Sequence, residues 1–224
     1  MALNFGKVKG QAQKGLKYYD YKMGDNSVRM VGGILPRYLY WVDLPDGNKR
    51  IPFECLTFDR ETESFDNALP DPVRERFPDL KCGWSYAVLC IDDGEVKILN
   101  LKKKLFQQIL TAAEDLGDPT DPETGWECFF KKVKTGPHAF NIEYQLQPLK
   151  CKPRPLTAEE LKLVEETKSI EELIPKESVE DQRKRLDKLL NKTNKEEEAP
   201  ADDAILDEIG ELPDSTEETI ADIA

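Results

Sequence analysis

Cationic and aromatic side chains recur together along this chain. Arg37, Tyr38, Tyr40 and Trp41 precede Lys49, Arg50 and Phe53; Lys81 precedes Trp84 and Tyr86; Lys102, Lys103 and Lys104 form a run; Phe129 precedes Lys131, Lys132 and Lys134. Such residues suit a flexible polyanion with exposed bases. Phosphates require a positive groove, and each base that stacks on an aromatic ring is worth about 1–3 kcal/mol. Strand alternation divides the set, because successive side chains point to opposite faces. Tyr38 and Tyr40 then share one face and Leu39 and Trp41 the other, while Trp126, Cys128 and Phe130 oppose Glu127, Phe129 and Lys131. Roughly half of these aromatics belong to a core on that count, and Phe129 lies on the face that carries Lys131.

Chemical catalysis has few candidates. The single histidine, His138, follows Gly136-Pro137 in a turn, so no histidine cluster can bind a metal and any Ser or Cys nucleophile would depend on that one imidazole. No Gly-rich phosphate loop with its lysine is present, and Gly32-Gly33 inside a β-type run reads as a bulge. Cys55, Cys82, Cys90, Cys128 and Cys151 are odd in number and widely spaced, as expected of buried reduced thiols. The sequence therefore predicts no catalytic residue, no cofactor and no metal. Scattered loop acids keep a metal-dependent nuclease as an alternative.

The elements that would position the basic and aromatic residues are mostly strands. VRMVGGIL, YLYWVDL, NKRIPFE, WSYAVLCI and EVKIL are β-type runs, and Asp46-Gly47 and Asp93-Gly94 between them favour hairpin turns. The acidic, Pro-containing stretch from Phe58 to Asp79 reads as an insertion with a short helix over Val73 to Phe77. Leu101, Leu105, Ile109, Ala112 and Leu116 lie three to four apart and put an apolar stripe on a helix. Two more strands, WECFFKKVK and AFNIEYQL, flank the loop Thr135 to His138. This order predicts a mainly β fold, a small closed or partly open antiparallel barrel with a packed helix.

Charge subdivides the chain. Residues 1–22 carry five lysines and one acid and read as a flexible basic arm. The core spans 23–154, since all 19 aromatics end at Tyr144. Residues 155–195 form a charged helical extension, with a capping box at Thr157 and Glu160 and a second helix over Val179 to Asn191; lacking aromatic anchors, these helices are expected to dock weakly or stand free. Residues 196–224 hold 12 acids and no base, an acidic tail expected to be disordered. Through residue 154 there are 23 Lys and Arg against 22 acids, so the net charge of −12 belongs to the tail. Within it, Ile205, Leu206, Ile209 and Leu212 have the spacing of a short helix face that a partner groove could read. No apolar run approaches the ~18 residues of a membrane span, so a soluble, intracellular protein is expected.

From Lys97 to Leu146 a strand and then NLKKKLFQQILTAAEDLGDPTDPETGWECFFKKVKTGPHAFNIEYQL, together with the upstream VRMVGGILPRYLYWV, resemble the helix-destabilising single-stranded DNA-binding proteins of T-even phages over about residues 28–150. The resemblance implies an OB-fold core that binds single-stranded DNA sequence-independently in replication, recombination and repair, in the cytoplasm of the infected host cell. It also implies cooperative self-association through the basic arm, and recruitment of replication and recombination proteins by the acidic tail. A phage scaffold or transcription-coupling protein is the alternative. The best-known members of that family hold zinc through one His and three Cys, whereas the matching segment here, Cys55 to Cys90, has three cysteines and no histidine. A closed structural zinc needs four ligands. Metal analysis should therefore find no stoichiometric zinc, and chelator should leave the melting temperature unchanged; about one zinc per chain would show a carboxylate completing the site.

Overall fold

Asp93 and Gly94 adopt φ of 51° and 75°, the positive angles that a two-residue hairpin turn requires. They join β7 (Tyr86–Asp92) to β8 (Glu95–Leu101) in an antiparallel ladder running from Asp92↔Glu95 to Tyr86↔Leu101. In the computed structural model, residues 16–44, 50–138 and 141–191 are described. The longest strand, β1 (Gly24–Leu35), pairs through Gly24–Arg29 with β9 (Glu127–Lys134) and through Arg29–Leu35 with β7. Its register on β7 shifts between Val31 and Ile34, and Gly32 takes φ 72°, so Gly32-Gly33 is the expected bulge. With β10 (Ile142–Leu146) the strands form a five-stranded sheet ordered β10-β9-β1-β7-β8.

This sheet is curled, because its two edges come within reach of one another. Tyr21 donates its hydroxyl to the Asn100 carbonyl on β8, while its ring lies 5.0 Å from that of Tyr144 on β10. The helix that follows β8, α2 (Lys103–Leu116), extends to the opposite edge, where the Gln108 side-chain amide donates to the Tyr144 carbonyl and accepts from the Leu146 N–H. Gln108 thus satisfies the outward backbone groups of an edge strand and discourages further pairing. Leu105, Phe106 and Ile109 pack from α2 onto Val28, Met30, Val88, Cys90, Trp126, Cys128 and Phe130, and Trp126 donates to the Gly117 carbonyl at 2.9 Å.

Two strands of the sheet continue around a corner. β1 passes through Pro36-Arg37 into β2 (Tyr38–Asp43), and β7 is preceded by β6 (Gly83–Trp84), which pairs with β2. With β3 (Arg50–Glu54) these make a second sheet ordered β3-β2-β6. Among the described residues no ladder joins β3 to the five-stranded sheet, so the mainly β, antiparallel architecture is a curled, open one. The insertion holds a hairpin of β4 (Phe58–Asp59) and β5 (Ser64–Phe65), then α1 (Pro72–Arg76), whose N-cap Asp71 accepts from the Val73 and Arg74 N–H groups.

The C-terminal extension departs from expectation. α3 (Ala158–Glu166) begins with the reciprocal Thr157–Glu160 box, and α4 (Ile170–Leu173) follows it. Leu163, Val164, Ile170 and Leu173 cover the second sheet face at Val31, Leu35, Ala87, Leu89 and Ile91. From α5 (Val179–Asn191), Leu186 enters a third cluster with Tyr40, Phe53, Phe58 and Val73, and the fully buried Gln182 donates to the Glu54 carbonyl at 2.7 Å. These helices dock without an aromatic side chain of their own, through aliphatic residues aided by Gln182 and by Arg185 over the Phe53 ring, because the open sheet has a second apolar face that residues 23–154 leave uncovered. The arm also ends earlier than expected: Lys17 and Tyr19 exchange backbone hydrogen bonds with Ile98 at 2.9 and 2.8 Å, and Tyr19 is buried. Residues 1–15 of the arm and the whole 196–224 tail lie outside the described residues. Since Ile170 is only 1% exposed, Ile170→Ala should destabilise the fold by about 2–5 kcal/mol in urea denaturation; a helix standing free would change stability by no more than about 0.5 kcal/mol.

Candidate nucleic-acid interface

At the corner the chain stays extended through Ser85, whose N–H donates to the Arg37 carbonyl at 2.8 Å. Residues two apart on an extended chain point the same way. Trp84 and Tyr86 accordingly stack, with centroids 4.3 Å apart and planes 18° from parallel, and Phe106 from α2 lies 5.6 Å from each. The three rings line a cleft of about 430 Å³, with Ile34 and Pro36 from the β1 end, Lys103, Gln107 and Leu110 from α2, and Glu63 from the β4–β5 turn. Leu110 is 52% exposed, an apolar side chain at a cleft rather than in a core.

The electrostatics of the cleft come from its two walls. Burial, then Glu63, pushes the Tyr86 phenol above its ordinary range, and the Tyr86 hydroxyl donates to Glu63 Oε2. Burial also raises the Tyr38 phenol, whose ring lies outside the cleft lining. On the other wall α2 starts at Lys102 without a side-chain cap or an acid in its first turn. Cations at a helix N-terminus oppose the macrodipole by about 0.3–1 kcal/mol each. Lys102, Lys103 and Lys104 are therefore a concentration of positive charge that helix stability does not explain. Lys102 also lies over the Tyr21 and Tyr144 rings at 5.6 and 5.8 Å.

Of the residues expected at an interface, the structure gathers Trp84, Tyr86 and Lys103 in this cleft, with Lys102 and Lys104 next to Lys103 along α2, whereas the Tyr38 ring packs against Phe58 and Phe65 in the third cluster. Exposed Lys81 precedes β6 by two residues. Tyr40 is a correction: it is 3% exposed, in the third core cluster, with its hydroxyl 3.5 Å from Cys55 Sγ, so it cannot stack on a base. Arg37 is another, buried at the corner and donating to Asn100 Oδ1 at 3.2 Å, its guanidinium pKa lowered chiefly by desolvation. Lys132 is the third. It continues the inward series Trp126, Cys128 and Phe130 on β9, is buried, and donates to the Tyr21 carbonyl.

The remaining candidates stand elsewhere. Phe129 is half-buried and packed against the main core, Lys131 pairs with Asp25 at 3.5 Å, and Lys134 is exposed at the end of β9. Trp41 is half-buried opposite Pro52, and Arg50 pairs with Asp43 at 2.5 Å. Lys49 and the tail residues Ile205, Leu206, Ile209 and Leu212 fall outside the described residues. Sequence reasoning missed Phe106, Leu110 and Glu63. Phe106 lies one turn from Lys103 and could have been found from that spacing; Glu63 is brought in by the insertion, and no local pattern marks it. The insertion cysteines also separate, since Cys55 and Cys82 lie in the third cluster and Cys90 in the main core. Hydrogen bonding from Cys82, together with Thr57 and Tyr40, brings the Cys55 thiol down to about 6 against the opposing effect of burial.

No family model matches this sequence, and no solved structure matches it. It is similar to the probable ssDNA-binding protein of Escherichia phage T5, at 31% identity over 166 residues that cover 66% of this chain. The match spans 61% of the length of the phage protein. The chain is thus a relative of a bacteriophage protein named for binding single-stranded DNA.

Proposed function

We propose that this chain binds single-stranded DNA without sequence preference and without catalysing a reaction, in the replication, recombination and repair of phage DNA inside the infected cell. The observation that carries this reading is the Trp84–Tyr86 stack, an aromatic platform at an open cleft beside the lysine-rich N-terminus of α2. A base laid against the platform gains stacking energy that a paired base in a duplex cannot reach, and its phosphates meet Lys102, Lys103 and Lys104. The T5 relative supports the same reading. Trp84→Ala should weaken binding of oligo-dT by about 1–3 kcal/mol, read by fluorescence titration with a labelled oligonucleotide, and duplex DNA should bind far more weakly than the single strand. Replacing Lys103 and Lys104 together by Ala should flatten the dependence of log affinity on log salt by up to about 0.7 per lost phosphate contact. Equal affinity for duplex, or an unaltered slope, would count against this cleft.

The acidic segment 196–224 is proposed to serve two purposes: electrostatic competition with DNA, and recruitment of replication and recombination proteins through Ile205, Leu206, Ile209 and Leu212, with the basic arm supporting self-association. Ending the chain after Lys195 removes 12 negative charges and no positive one. Truncation should tighten single-strand binding at low salt, with the gain shrinking as salt screens the charge, while the melting temperature stays unchanged. A large loss of melting temperature, or unaltered affinity at every salt concentration, would make the tail a structural element or an inert solubiliser.

A further inference from the structure

Glu63 is the one acid among the residues that line the cleft, and it is the wrong charge for a polyanion. It stands in the β4–β5 turn with φ 49°, a left-handed conformation disfavoured for glutamate, and its carboxylate accepts the hydroxyl of Tyr86, half of the aromatic pair. The turn around it is held from within. Asp59 Oδ1 accepts from the Glu61 and Thr62 N–H groups, each at 2.8 Å, and the Thr62 and Ser64 hydroxyls bond at 2.8 Å. The root of the hairpin is fixed by the rings of Phe58, Phe65 and Tyr38, 4.8–5.1 Å apart. Residues 61–64 are all exposed. The tip is thus a preformed unit on a firm base that lays a single carboxylate on the binding platform.

We infer that the Glu63 side chain, presented by the braced β4–β5 hairpin, is a gate: its carboxylate occupies the platform as an intramolecular competitor until an arriving single strand displaces it and takes over the Tyr86 hydroxyl. The inference rests on the reading of this cleft as the single-strand site. Phosphates approaching Lys103 and Lys104 repel the carboxylate, and a base acceptor or phosphate oxygen replaces it as partner of the phenol. An anion that brings no base to stack displaces the gate without the compensating contact, so Glu63 sharpens the preference for unpaired nucleic acid over simple polyanions.

The test is titration of the full chain with oligo-dT at low and high salt, comparing Glu63→Gln with Glu61→Gln, an exposed acid in the same turn that does not line the cleft. Glu63→Gln should tighten binding about two- to fivefold at low salt, the scale of one exposed charge interaction, and Glu61→Gln should have a clearly smaller effect. In a Tyr86→Phe background, which cannot hold the carboxylate, most of the gain from Glu63→Gln should vanish. Equal gains from both glutamines would reduce the effect to net charge and overturn the gate, as would unchanged or weaker binding by Glu63→Gln. If Trp84→Ala weakens binding while Glu63→Gln has no effect, the gate alone fails; if Trp84→Ala has no effect either, the cleft and its gate fall together.

Discussion

The extended backbone at Ser85 is the constraint from which the candidate site follows. By donating to the Arg37 carbonyl, the Ser85 N–H ties the two strands that turn the corner, and the Tyr38↔Trp84 pairing continues the tie into the second sheet. The chain therefore cannot coil between residues 84 and 86, and their two rings must project side by side. A platform built on paired backbone holds its rings parallel before any ligand arrives, so less conformational entropy remains to be lost on binding. Proline 36 and the half-buried Trp84 then form neighbouring parts of the same cleft wall.

The curl of the five-stranded sheet supplies the opposite wall. Tyr21 spans from β8 to the Tyr144 ring, and Gln108 ties α2 to β10. With both ends of the seam held, α2 crosses it with Leu105 and Ile109 inward, leaving Lys103 and Leu110 at the cleft. The core side of the helix and its binding side are consequently set by one packing arrangement. The same curl leaves the opposite sheet face apolar, and the C-terminal helices cover it; the extension is thereby coupled energetically to the sheet that carries the platform.

Much of the architecture was legible because it is local. Asp93-Gly94 requires a tight turn, Gly32-Gly33 tolerates a bulge, the spacing Leu105, Ile109, Ala112 and Leu116 makes one helical stripe, and Thr157 with Glu160 caps a helix. Inward placement of Trp126 and Phe130 also follows from alternation. The same rule, carried two residues further, buries Lys132, but charge argued for exposure and only the packing around Tyr21 shows how the ammonium is accommodated. Tyr40 and Arg37 were illegible for a related reason, since which face of a strand is covered depends on elements distant in sequence, here α5 and the corner.

Alone, then, the sequence determined most of the elements, the concentration of the net negative charge in the last 29 residues and the pairing of basic with aromatic residues. These depend on backbone preferences, side-chain periodicity and composition, all of which act over a few residues. Only the tertiary structure decided which pairs converge: it selected Trp84, Tyr86 and Lys103, added Phe106 and Leu110, withdrew Tyr40, Arg37 and Lys132 into the interior, and set Glu63 against Tyr86. The physical reason is that burial and juxtaposition are long-range outcomes of sheet curl and helix docking, so residues alike in type and spacing end on opposite sides of a packed surface.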